Sequence, residues 1–411
     1  MNVKILLINK FLYPKGGAEA STLVTGALLS RKGHEVHYWG MQHPSNPEYP
    51  YKDYFVSQVD YNKASGILTK LKAASNILYS FEAKKNIESF IKEIKPDIAH
   101  LNSLYHQISP SILHVLKKHT IPTVMTIRDY KLVCPSYLML ADGKPCERCK
   151  GGRYYNCFFN KCTKNSYAKS FLNVVEMYLH HKILHIYDSI DVYISPSMFL
   201  KNKLEEMGFT HEIEYLPNFV DLGEYSPRYN WQQRSIVYFG RLSPEKGLST
   251  LLEAVKDLNV KLKIIGDGPI RQELEKKAVV ERINNVIFVG YKSGQELKKE
   301  IQDAMATVTP SQCYENNPRS VIESFALGKP VIGARIGGIP ELAKDGETGY
   351  TFKSGNVDDL RSKINLLIGS PDKVINMGKT ARKLVEQHNN PEAHYQRLTQ
   401  IYKMAAEKSM K

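Results

Sequence analysis

The sequence predicts an α/β protein made of two doubly wound parallel-sheet domains in series, facing each other across a cleft. Three observations carry that prediction. Short apolar segments of strand length recur along the chain, as strands of a buried parallel sheet require. Stretches with helical spacing separate consecutive runs. A segment rich in Pro, Asn, Gly and Asp, Pro217–Trp231, then divides the alternation into two series. Length agrees, since 411 residues at roughly 100–200 per domain make two domains or three. With 42% hydrophobic and 24% charged residues the chain can bury a sizeable core.

In the first series, Val3–Ile8 reads as a buried strand followed by a long loop, Asn9–Gly16. A helix is expected from Gly17 to Lys32, with Leu23, Ala27 and Leu28 on one face and Gly33 as its stop. Strands follow at Glu35–Trp39, Asp97–Leu101, Pro122–Ile127, Asp191–Ser195 and Glu212–Leu216, with helical stretches at Ser65–Lys95 and Ser166–Asp188. The second series places strands at Ser235–Gly240, Lys261–Gly266, Asn285–Val289, Ala306–Pro310, Pro330–Ala334 and Gly349–Phe352. Its helices fit Gly247–Leu258, Ile270–Arg282, Gly294–Asp303, Pro318–Leu327 and Asp358–Ile368. The expected division is residues 1–216, residues 217–385, and a terminal helix over 386–411 that crosses back to the first domain. In such a pair the carboxyl ends of both sheets converge on a ligand in the cleft.

Charge and cysteine are both concentrated. The chain has 56 Lys/Arg against 42 Asp/Glu, a net charge of +14. From His114 to His185 there are twelve Lys/Arg, four Asp/Glu and five histidines. A field of that sign attracts anions, whether nucleic acid, anionic lipid or a phosphorylated substrate. Cys134, Cys146, Cys149, Cys157 and Cys162 fall within the same stretch, inside an expected insertion at about 134–165. The longest aliphatic run near the start, Ile5–Ile8, is too short for a membrane span or a signal core. The expectation is therefore a cytoplasmic protein, peripheral at the inner face of the membrane. In reduced surroundings the cysteines favour metal over disulfides, with structural zinc on Cys146, Cys149, Cys157 and Cys162 and Cys134 as the alternative ligand; free buried thiols or a redox pair are the competing readings.

Three segments carry the candidate chemistry. Gly16-Gly17 opens the first helix with Glu19 just inside it, so backbone N–H groups can approach an anion at the helix N-terminus. Gly240–Gly247 follows the first strand of the second series, and Arg241 and Lys246 there suit a diphosphate. Ser243-Pro244 reads as a helix start. Ser311–Ser324 follows a core strand, and Asn317-Pro318 reads as N-cap and first helical residue. Glu315 then lies in the loop at the helix mouth, while Glu323 lies on the flank, where a carboxylate can accept ribose hydroxyls.

These segments resemble retaining glycosyltransferases of family 4, which have the two-domain GT-B fold. The likeness covers nearly the whole chain and includes a cysteine-rich insertion found in a subset of that family. Its specific parts are Glu-x7-Glu at Glu315 and Glu323, the Gly240–Gly247 block, and Gly16–Glu19. Weaker echoes are Gly266–Pro269, Ala326–Ile332 and Gly337–Glu341. The resemblance implies that Arg241 and Lys246 bind the diphosphate of a nucleotide diphosphate-sugar and that Glu323 holds the ribose. It also implies that Glu315 contacts the sugar hydroxyls, with Asn316, Asn317, Pro318 and Arg319 cradling the sugar and Gly16 and Gly17 approaching the phosphate. Glu315, Arg241 and Lys246 are then the catalytic set.

One departure stands out: Thr126-Ile127-Arg128-Asp129 has arginine where the family often has histidine. Arg128 cannot act as a base, though its fork can hold a sugar hydroxyl or phosphate. His106 is the other candidate polar contact. No Asp-x-Asp stands beside a donor strand, so cationic side chains and helix N-termini are expected to stabilise the departing diphosphate without a catalytic cofactor. The implied function is transfer, with retention, to a glycan or lipid-linked acceptor in cell-surface polysaccharide or glycolipid synthesis. An anionic membrane surface is a further expected partner, and nucleic acid is not. Two alternatives are a nucleic-acid-binding protein built on a basic zinc module and a phosphorylase or epimerase on the same fold.

Overall fold

The computed structural model describes residues 2–58, 74–106 and 108–410. The first sheet uses β1 (Lys4–Ile8), β2 (Glu35–Trp39), β3 (Ile98–Leu101) and β4 (Thr123–Thr126). After a small antiparallel hairpin, β5 (Leu140–Ala141) and β6 (Lys144–Pro145), it is completed by β7 (Val192–Ser195) and β8 (Ile213–Tyr215). The second sheet contains β9 (Ser235–Phe239), β10 (Lys261–Ile265), β11 (Val286–Gly290), β12 (Ala306–Thr309), β13 (Val331–Ala334) and β14 (Gly349–Phe352). The spatial orders are β2-β1-β3-β4-β7-β8 and β11-β10-β9-β12-β13-β14, and both sheets pair in parallel throughout.

Strand order reverses between β1 and β3 in the first sheet and between β9 and β12 in the second. Connections leave to opposite faces at such a point, which opens a crevice at the strands' carboxyl ends. The loops after β1, β9 and β12 are those that carry Gly16-Gly17, Arg241 with Lys246, and Glu315.

The two-residue period of β1 divides it between two cores. Leu6 and Ile8 join one, while Ile5 and Leu7 join another that includes Val124 and Ile194. That second core is covered by the last helix, Pro391–Ser409, through Leu398, Ile401, Tyr402 and Ala405. Their spacing puts all four on one helical face. The chain thus passes between domains twice, and the crossings are bonded to each other. Asn389 Nδ2 donates to the Asn218 carbonyl at 2.7 Å, and Val220 N donates to the Asn389 carbonyl at 3.1 Å.

Helices at Ile112–Lys118, Met198–Glu206 and Pro371–His388 were not anticipated from sequence. Of the stretch expected at 65–95, residues 65–73 lie outside the described residues, while Phe81–Ile94 is helical with Ser80 as N-cap. The stretch expected at 166–188 is regular only over Tyr167–Tyr178 and then loosens into a wider turn at Leu179–Ile183.

Candidate active site

After β9 the chain makes a 3-10 turn, Pro244–Lys246, and Gly247 starts the helix Leu248–Val255. Gly247 has φ +68, and a Cβ there would sit 2.0 Å from the Pro310 carbonyl oxygen, so only glycine lets this turn lie against the loop after β12. Gln312 N reaches the Glu245 carbonyl at 2.8 Å and fastens the two loops together. Lys246 Nζ then lies 2.7 Å from Glu315 Oε1, and Ser311 Oγ donates to the same oxygen at 2.5 Å. Burial works against both charges, but their attraction and hydrogen bonds outweigh it. The Glu315 carboxyl stays below its ordinary range and the Lys246 ammonium above its own. The back of this loop is set by Gly337, at φ +60, whose missing Cβ would meet the Glu315 carbonyl oxygen at 2.3 Å.

Glu323 stands one turn into the helix Arg319–Ala326, where Arg319 Nη2 donates to its Oε1 at 3.1 Å. Arg319 also donates to the Phe219 carbonyl at 3.3 Å and to Ser21 Oγ of the opposite domain at 3.5 Å. Gly17 comes up against the same side chain, since a Cβ there would be 3.7 Å from Arg319 Cδ. Asn317 is not the N-cap that sequence implies. Pro318 takes that position, and the Asn317 side chain instead accepts from Asn218 N at 3.0 Å while its carbonyl accepts from Asn218 Nδ2 at 2.9 Å. A partner 99 residues away outcompetes the local cap.

On the facing side, Asn9 shapes the loop after β1 by donating to the Phe11 carbonyl at 2.6 Å and accepting from Ser103 N at 3.1 Å. This loop supplies Lys10 and Lys15, which sequence did not single out. Burial, helped by Lys15, holds the Lys10 ammonium down to about 8. Lys15 is lowered by burial, with Glu19 opposing and Arg241 of the other domain adding its repulsion. Lys15 is thus near enough to Arg241 of the other domain to feel its charge. Lys10 and Lys15 on the loop after β1, and Arg241 and Lys246 on the loop after β9, bring positive charge to the carboxyl ends of both sheets, which suits a polyanion such as a diphosphate.

Arg128 and His106, the two expected sugar contacts, each have partners within the protein. Arg128 is held by Asn102 Oδ1 at 3.0 Å from its Nε and by Asn218 Oδ1 at 2.9 Å from its Nη1, so its fork serves the domain junction. Burial first, then the charge of Arg319, brings its guanidinium down to about 10. His106 turns inward to a buried ion pair, its Nε2 3.8 Å from Glu176 Oε2, which Lys131 Nζ holds at 2.7 Å. Burial keeps that imidazole neutral, down to about 4. Asp129, beside Arg128, was overlooked; burial raises its carboxyl to about 6 against the Lys131 backbone N–H and the charges of Lys131 and Lys10.

The domains are clasped beside the site. Ser197 Oγ donates to Asn316 Oδ1 at 2.8 Å, and Asn316 Nδ2 donates to the Ile127 carbonyl at 3.3 Å. Glu341 accepts Met198 N at 3.1 Å and Phe199 N at 2.5 Å, which satisfies free donors at the start of the Met198–Glu206 helix. Tyr314 OH donates to Glu147 Oε1 at 2.8 Å, and Lys203 Nζ lies 2.9 Å from the same oxygen.

Glu147 lies between two of the insertion's cysteines. Cys134, Cys146, Cys149, Cys157 and Cys162 are all free and all line one cavity. The zinc expectation finds no coordination sphere here: among the described residues no group of three or more His, Cys, Asp or Glu side chains is arranged to hold a metal ion. Cys313 is a separate buried thiol next to the Glu315 loop.

Residues 15–224 match the family model described as Glycosyltransferase Family 4, and residues 226–384 match the model described as Glycosyl transferases group 1. A protein of the cps region of Klebsiella pneumoniae, itself uncharacterised, is 28% identical over 83% of this chain and 88% of its own. An uncharacterised glycosyltransferase of Methanocaldococcus jannaschii is 25% identical over 93% of each chain. Among solved structures, sucrose-phosphate synthase of Thermosynechococcus elongatus superposes with a TM-score of 0.71 at 18% identity, covering 97% of this chain and 98% of that one. Anabaena HepE, solved with UDP and glucose, gives 0.69 at 18% identity, covering 98% and 100%. Identities this low speak for a common fold. Also among the described residues, no helix is long and apolar enough to cross a membrane.

Proposed function

Because the chain belongs to glycosyltransferase family 4, we propose that it moves a sugar, with retention, from a nucleotide diphosphate-sugar to a glycan or lipid-linked acceptor. The observation that carries this reading is the Lys246–Glu315 pair, 2.7 Å apart where the second sheet reverses its strand order, with Arg241 on the same loop as Lys246 and Lys15 of the other domain near enough to feel the charge of Arg241. A diphosphate lies between those cations, so negative charge building on the leaving oxygen meets fixed positive charge. The Glu315 carboxylate stays ionised and accepts hydroxyls of the sugar. Glu323 holds the ribose, and the leaving phosphate oxygen takes the acceptor's proton on the same face of the sugar. The Klebsiella relative's cps region supports a role in cell-surface polysaccharide synthesis.

The test is incubation with a panel of nucleotide-sugars, UDP-sugars first because HepE was solved with UDP. Nucleoside diphosphate release that depends on acceptor, and a product keeping the donor's anomeric configuration, is the expected result. Sugar phosphate formed with inorganic phosphate would indicate a phosphorylase, and interconversion of free nucleotide-sugars an epimerase. Glu323→Gln is expected to raise the donor KM roughly tenfold or more with little change in kcat, since it weakens a charge-assisted contact made before and during reaction. Steady-state kinetics in donor concentration check this. An unchanged KM removes Glu323 from the ribose site.

A further inference from the structure

The insertion presents an aromatic knob to solvent. Phe159, Phe171, Tyr167 and Tyr155 are 69%, 58%, 52% and 47% exposed. They are one patch rather than scattered rings. Phe158, half-buried beneath them, has its centroid 5.6 Å from Phe159, 5.2 Å from Tyr167 and 6.1 Å from Phe171, and Tyr155 is 6.4 Å from Phe159. Contiguous apolar surface of this kind marks an interaction site. The segment that carries it is cationic: from Lys144 to Lys182 the chain has eight Lys/Arg and two Asp/Glu. Of those two acids, Glu176 is buried against Lys131 and Glu147 is taken by Lys203 and Tyr314. Lys161 Nζ stands 4.6 Å over the Tyr167 ring.

We propose that this knob docks on an anionic membrane surface, the rings entering the headgroup region and the segment's Lys/Arg side chains pairing with lipid phosphates. Two other occupants fit worse. A second copy would bring one cationic segment against another. Single-stranded nucleic acid stacks on separate open ring faces, whereas these rings pack tilted or edge-on against each other. The module also carries Glu147, bonded to Tyr314 beside Glu315. Docking there would set the cleft next to the bilayer, where a lipid-linked acceptor resides. That consequence for the acceptor rests on the transferase reading; the docking itself does not.

Flotation of the full chain with phosphatidylcholine vesicles, with and without phosphatidylglycerol, tests it. Recovery is expected only with the anionic vesicles and should fall as salt rises. Phe159→Ser with Phe171→Ser should cut the bound fraction about tenfold or more, since both rings lose their apolar partner. Lys150→Glu with Arg153→Glu should abolish the preference for anionic lipid. All four side chains are exposed, so melting temperature and nucleoside diphosphate release with a soluble acceptor should not change. Equal recovery on neutral and anionic vesicles at low salt overturns the proposal, as does full retention by both double variants. A single-stranded oligonucleotide that binds through the same rings while vesicles do not overturns it in favour of nucleic acid. Loss of NDP release with flotation intact would instead strike at the transferase reading alone.

Discussion

Glu315→Gln is expected to lower kcat by roughly 10²–10³-fold while moving the donor KM far less. The hydrogen bonds from Lys246 Nζ and Ser311 Oγ both end on Oε1, which leaves Oε2 as the oxygen a sugar hydroxyl can reach. As the bond to phosphate breaks, the ring carbon gains positive character, and a full carboxylate beside it is worth more then than in the ground state. Glutamine keeps the shape and loses that charge. It also releases Lys246 from its partner, so ground-state diphosphate binding should hold or tighten as turnover falls. Kinetics against a competent acceptor decide the matter. Wild-type kcat and KM in this variant would remove Glu315 from the reacting centre.

For Lys246→Ala the expected loss of nucleoside diphosphate affinity is roughly 1.5–3 kcal/mol, one charge-assisted contact. Sequence alone implies that the fold is untouched, but the geometry adds a second effect. The variant leaves Glu315 ionised in a mostly enclosed place. Stranding a fully buried charge costs about 3–5 kcal/mol, and the penalty here is smaller because the two side chains are 26% and 16% exposed. With the lysine gone, burial acts on the Glu315 carboxyl with only Ser311 opposing, so its pKa moves up. Residual turnover should then rise with pH across that raised value, a dependence the parent enzyme lacks in the same range. Lys246→Met with Glu315→Gln should recover stability and not turnover. Calorimetric titration with nucleoside diphosphate and thermal melts separate the two effects. Unchanged affinity in Lys246→Ala excludes it from the diphosphate site.

Much of the fold was legible because it is written locally. Each strand of both sheets lies within a residue or so of its expected segment; the central ones are the apolar, buried strands, while the edge strands β2 and β11 are only partly buried. The helix Pro371–His388 was equally readable, since Val374, Met377, Ala381 and Val385 repeat at helical spacing behind a Ser-Pro start, yet its charged face obscured it. The candidate site was legible as residue types placed at strand ends. What those side chains bond to was not. Arg128 with Asn218, Asn316 with Ser197 and Glu341 with Met198 join positions 90 to 143 residues apart. Such pairs are chosen by how two separately folded sheets come together, and no local pattern records that. Asn317 shows the consequence, a residue well placed to cap locally that bonds instead to Asn218 in the segment joining the domains.

The last helix has a bearing on how the molecule is made. Ile5, Leu7, Val124 and Ile194 are covered by side chains from Leu398 to Ala405, which leave the ribosome after every strand of both sheets. The amino-terminal sheet therefore emerges first and waits longest, one apolar face open through synthesis of everything between. Its partner, with no such debt to a distant segment, can finish before it. A nascent chain stopped short of Pro391 should accordingly be a client of chaperones and a target of proteases through its oldest part rather than its newest.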